Sequence, residues 1–138
     1  MLRKIAGIFL CAVAAVALLT GCGEYQRALK SPDPNYKFDY AKRAFENKRY
    51  VQSYTLLKDI VTQLKGSDKA EEALYLLGLS YYENQEYPDA AAYFKAYYQR
   101  YPKGKFSELC RYYAGYSYYL DSPEAQLDQS ETIKAIEE

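Results

Sequence analysis

Two stretches of this chain repeat each other at a spacing of 37 residues, and that limits the folds open to it. Tyr75-Leu76-Leu77-Gly78-Leu79-Ser80-Tyr81-Tyr82 aligns with Tyr112-Tyr113-Ala114-Gly115-Tyr116-Ser117-Tyr118-Tyr119, so glycine, serine and a tyrosine pair fall in register. Asn47-Lys48-Arg49-Tyr50 aligns with Asn84-Gln85-Glu86-Tyr87 at the same spacing. A unit of this length is one supersecondary element that buries its apolar face only by stacking on the next copy. Within the units the apolar residues recur every three to four positions, the period of a helix, and no run alternates with the period of two that a strand needs. The pattern predicts helices over 36–47, 51–64, from the Asp68/Glu71 capping box to 84, from Pro88 to Arg100, and over 107–120. Short connections between them imply antiparallel neighbours, hence an all-α array of helix pairs.

The segment 71–104 resembles the tetratricopeptide repeat. Leu74, Leu77, Gly78, Tyr81, Tyr87, Ala90, Phe94 and Pro102 stand where that family has W, L, G, Y, Y, A, F and P. Gly78 and Ala90 are expected to let the two helices of a pair approach, with Tyr81 and Phe94 filling the space on either side. The first repeat is weaker, with Ala41 for Gly and Ser53 for Ala, and the third keeps Gly115 and Tyr118 before departing. The resemblance implies a tetratricopeptide-repeat α-solenoid over 36–138, about two and a half repeats long.

The N-terminus has a different character. Arg3 and Lys4 precede a stretch from Ile5 to Leu19 that is wholly apolar or small. That length suits the apolar region of a secretory signal and falls short of a membrane span. It ends in Leu19-Thr20-Gly21-Cys22, which resembles the lipobox of bacterial lipoproteins. Small residues let a peptidase reach the Gly21–Cys22 bond, and the Cys22 thiol takes up a diacylglyceryl group. The expectation is a signal peptide over 1–21, palmitate-type acylation at Cys22, and a tether over 22–35 in which Pro32 and Pro34 stop any helix from crossing. Gly23 is not the Asp associated with inner-membrane retention in bacterial lipoproteins, which points to the outer membrane and its periplasmic face.

Composition removes several functions. The chain has no histidine, which excludes histidine bases, catalytic triads built on histidine and the commonest metal ligand. Cys11 leaves with the signal and Cys22 becomes a thioether, so Cys110 is the remaining thiol, in an apolar helical stretch that suits a buried small hydrophobe. Lys and Arg number 18, as do Asp and Glu, which argues against nucleic acid as a partner. Adjacent acids such as Glu71-Glu72 do not face each other on a helix, and no glycine-rich phosphate loop occurs. The reading is a binding protein, not an enzyme, with no cofactor, no metal and no small-molecule substrate.

After Leu120 the chain inserts residues 121–129 before a helix beginning near Ser130, with Ile133 and Ile136 on its apolar face. That helix lacks a stop signal, so the chain reads as the N-terminal part of a longer solenoid. Lipobox, short tether, prompt repeats and the loop carrying Leu127-Asp128-Gln129 together resemble the BamD family of outer-membrane-protein assembly factors. Tyr101-Pro102 before Gly104-Lys105-Phe106 fits as well. Asp128 with Glu131 also spells a capping box, and the motif and the cap are compatible. The resemblance implies a lipoprotein of the β-barrel assembly machinery, whose partners are unfolded outer-membrane β-barrel proteins and other assembly subunits. The alternative is another lipid-anchored repeat scaffold, such as a pilotin or a cell-envelope adaptor.

In tetratricopeptide repeats the first helix of each pair lines a concave groove. Here those positions are Phe38, Lys42 and Phe45, then Tyr75, Leu79 and Tyr82, then Tyr112, Tyr116 and Tyr119. Rigid rings with a polar tip suit peptide binding, because they offer contact area at low entropic cost. The same rings can instead pack between adjacent repeats, and the sequence leaves both readings open.

Overall fold

A computed structural model describes residues 23–122 and 130–138. Every described element is helical: α1 over 23–30, α2 Pro34–Glu46, α3 Tyr50–Ile60, α4 Ala70–Glu83, α5 Tyr87–Arg100, α6 Ser107–Asp121 and α7 Ser130–Glu137. From α2 onward each helix packs on the next, and α2 also reaches α4, the first helix of the following pair. This is the all-α solenoid of helix pairs that the repeat predicts.

The expected tether is helical over 23–30. Ala28 is fully buried, Tyr25 stacks on Tyr40 with centroids 6.0 Å apart, and Glu24 pairs with Arg43 at 2.9 Å. Tyr25, Ala28 and Leu29 turn one face of this helix to the core, which a reading of polarity alone does not anticipate. The break at 31–33 is where the prolines place it. Asp33 caps α2 by accepting the Asn35 amide at 2.9 Å, and Pro34 takes the first helical position, where a missing N–H costs nothing.

The recurring Asn-x-x-Tyr segments are turns of one geometry. Lys48 and Gln85 have φ of 59° and 63°. In each turn two amides return to the preceding helix: Lys48 N–H to Phe45 and Arg49 N–H to Ala44, then Gln85 N–H to Tyr82 and Glu86 N–H to Tyr81. That is the Schellman ending, which satisfies carbonyls the helix would otherwise leave open.

Two local expectations need correction. The helix expected to reach Leu64 stops at Ile60, because the Gln63 amide turns back to Ile60 and Gly66 adopts φ 84°; Leu64 still buries its side chain. The Asp68/Glu71 capping box is not formed: Lys69 caps α4 and makes no side-chain cap bond. Glu71 is engaged elsewhere, accepting the Tyr97 hydroxyl at 2.8 Å and the Lys105 amide at 3.2 Å, while Tyr97 accepts the Phe106 amide at 3.1 Å. This network ties the start of α4 to the α5–α6 connection. A Cβ on Gly104 would fall on the Glu71 carboxylate and on Tyr101, which explains glycine there.

At the pair's close approach, a Cβ on Gly78 would lie 2.9 Å from the Phe94 ring, which is itself fully buried. Gly115 serves the next pair, where an added Cβ would stand 3.4 Å from the Ala135 carbonyl of α7. Between repeats, buried Ser80 donates to or accepts from Ser53 at 2.9 Å and also reaches the Leu76 carbonyl at 2.8 Å. The register repeats but the partner does not: Ser117 matches Ser80, whereas Ala90 stands where Ser53 did. The Ser117 Oγ is buried without a hydrogen-bond partner among the described residues. Ser117→Ala should therefore stabilise the fold by about 1 kcal/mol, while Ser80→Ala should cost about 1–2 kcal/mol by orphaning Ser53. Chemical denaturation of the two variants checks this, and a loss in the Ser117 variant equal to that of Ser80 would refute it.

Candidate functional site

The first-helix positions separate into two groups once folded. Tyr112, Tyr116 and Tyr119 lie four and three residues apart, which places them on one face of α6. Their rings form a ladder, with centroids 5.7 Å and 5.9 Å apart and planes 16° from parallel at both steps. They remain open to solvent, at 61%, 37% and 63% exposure. A contiguous exposed aromatic surface of this kind is a candidate contact site.

Tyr82, at the end of α4, connects this ladder to the core. Its ring is half-buried, 6.4 Å from Tyr116, 5.8 Å from Tyr87 and 5.0 Å from Tyr113. Tyr113 in turn stacks on Phe94 at 5.2 Å. The Tyr82 hydroxyl is pushed above its ordinary pKa by burial, with the neighbouring Tyr116 and Tyr113 adding to the effect. Thus Tyr82, Tyr112, Tyr116 and Tyr119 form one aromatic surface whose base is held by core packing.

The remaining first-helix positions belong elsewhere. Phe38 is 2% exposed and sits in the core, with the Lys42 and Lys69 ammonium groups 5.6 Å and 5.3 Å from its ring centroid. Tyr75 stacks on Phe106 at 4.1 Å and meets Tyr97 edge-on, and burial pushes its hydroxyl up to about 12. The α5–α6 connection folds Phe106 over Tyr75, a closure that the spacing along α4 does not encode. Phe45 is half-buried against Tyr50 at 5.4 Å, and Leu79 packs against the core. Lys42 bridges from α2 to Glu72 of α4 at 2.6 Å, a bond that raises its pKa. These five are packing and bridging positions, so the expected groove contracts to four tyrosines.

A second aromatic group escaped the sequence reading. Tyr54 stacks on Tyr81 at 4.2 Å and Tyr81 on Tyr93 at 5.3 Å, with the Tyr54 hydroxyl donating to Glu86 at 3.0 Å. The three rings come from α3, α4 and α5, and no fixed spacing links them. Tyr54 and Tyr81 line a recess of about 390 Å³ with Thr55, Lys58 and Asp59.

Cys110 is fully buried and its thiol is pushed up to about 12 by that burial, so it is neither ionised nor accessible. Among the described residues no cluster of His, Cys, Asp or Glu could hold a metal ion, and no helix is long and apolar enough to cross a membrane. Gly21 and Cys22 of the cleavage and lipid-attachment site, and Asp128 and Gln129 of the loop motif, lie outside the described residues.

Residues 31–138 match the family model YfiO, described as an outer membrane lipoprotein. No curated protein matches the chain.

Proposed function

The chain belongs to the YfiO family of outer membrane lipoproteins, and from that premise we propose that it works as a BamD-like component of the β-barrel assembly machinery. In this reading Cys22 carries the lipid, the domain faces the periplasm, and the protein holds unfolded outer-membrane proteins and other assembly subunits. It acts by binding and carries out no chemistry of its own. The observation that carries the reading is the exposed ladder Tyr112–Tyr116–Tyr119 with Tyr82 behind it. An unfolded β-barrel strand is extended and aromatic-rich, offering rings to stack and backbone groups to hydrogen-bond. Stacked tyrosines supply flat contact area and hydroxyls for that purpose, and they are already ordered before the partner arrives.

The test is titration of an aromatic-ended, strand-forming peptide into the protein and into Tyr112→Ala/Tyr119→Ala. Both residues are more than half exposed, so the helices should survive, which circular dichroism checks. Binding should weaken by about 2–4 kcal/mol, the range of aromatic hot spots. Unchanged affinity in the folded variant would remove the ladder as the binding surface.

A further inference from the structure

The turns closing α2 and α4 share one backbone but carry opposite charge. In the second, the two residues after Asn84 are Gln85 and Glu86, and Glu86 serves the fold by accepting from Tyr54 and from the Asn84 amide group. In the first, the matching residues are Lys48 and Arg49, both exposed and neither ion-paired with a carboxylate among the described residues. A lysine has no advantage at the positive φ of Lys48, so local folding does not account for it.

The start of α1 stands beside this turn. Glu24, Arg43, Asn47 and Arg49 line one recess of about 220 Å³. Glu24 neutralises Arg43 through their ion pair, and exposed Glu46 offsets one further charge, so Lys48 and Arg49, the latter also meeting the Tyr40 hydroxyl, leave the corner with a net positive charge. The wider chain shows the same polarity: residues 23–50 hold seven Lys or Arg against four Asp or Glu, and residues 51–138 hold nine against fourteen.

We propose that the corner at Lys48 and Arg49 is a docking surface for anionic phospholipid headgroups, seating the first repeat on the membrane. The proposal rests on the reading of Cys22 as the lipid anchor, two residues before Glu24 in the sequence. An anchor at that place keeps the corner close to headgroups, so that lipid is the anion at highest effective concentration there. Within a Debye length of an anionic leaflet each basic side chain strengthens binding by roughly five-fold.

The experiment uses the chain from Gly23 onward, which retains every helix described here, so no lipid anchor contributes. Co-sedimentation is measured with vesicles of phosphatidylcholine alone and of phosphatidylcholine with phosphatidylglycerol, at low and high salt. Binding should favour the anionic vesicles, vanish at high salt, and fall roughly ten-fold or more in Lys48→Gln/Arg49→Glu, which installs the residues of the second turn. Equal binding to both vesicles, or an unchanged double variant, overturns the proposal. Stronger binding to soluble polyglutamate than to the anionic vesicles, lost in the same variant, also overturns it and assigns the corner to an acidic protein partner. Failure of the anchor itself is read separately, by acyl labelling of the full chain.

Discussion

Phe94→Ala is expected to destabilise the domain by about 3–5 kcal/mol, the usual cost of emptying a fully buried aromatic site. The ring has no solvent exposure, lies against the backbone of Gly78, and is stacked on Tyr113 of the next repeat. Removing it takes away a contact within one pair and a contact between pairs. Because Gly78 has no side chain to move into the space and Tyr113 is held by α6, the cavity closes only if whole helices shift. Thermal or denaturant unfolding followed by circular dichroism reads the loss. The consequence extends to the surface, since Tyr113 supports Tyr82 and Tyr82 supports Tyr116. A loss below about 1 kcal/mol would mean that the pair is not packed through this ring.

The largest effect on location is expected from Cys22→Ser. A serine hydroxyl cannot form the thioether, so the variant should carry no acyl chain and should accumulate unprocessed or leave the membrane fraction. Each buried methylene of an acyl chain contributes ~0.8 kcal/mol, so losing two or more chains removes attachment almost entirely. The cationic corner at Lys48 and Arg49 could hold a small, salt-sensitive remainder, which a high-salt wash would strip. Palmitate labelling and membrane fractionation measure the outcome. Labelling equal to that of the unaltered chain would refute acylation at Cys22.

Periodicity carried the helices because burial of a helix face is written directly into every third or fourth residue. It carried the pair contacts as well: Gly78, Ala90 and Phe94 are buried together where the repeat pattern places them. Lys48 and Gln85, which stand 37 residues apart in matching segments, share one backbone conformation. It did not foretell Glu71, whose carboxylate left the expected cap for Tyr97 and Lys105, because a capping box competes with partners that arrive from another repeat. Nor could it sort the tyrosines. Tyr75 is covered by Phe106 from the α5–α6 connection, a partner that spacing along α4 does not encode.

What the sequence by itself determined is therefore the all-helical repeat and its glycine and proline punctuation. These are local quantities, set by spacing, backbone freedom and composition within a few turns. Only the tertiary structure decided which rings are core and which are surface, that residues 23–30 dock as a helix, and that Lys48 and Arg49 stand beside the start of that helix. Those outcomes depend on which residues from distant turns meet. Tyr75, for example, is covered because the α5–α6 connection brings Phe106 over it, a contact that periodicity within one helix does not encode.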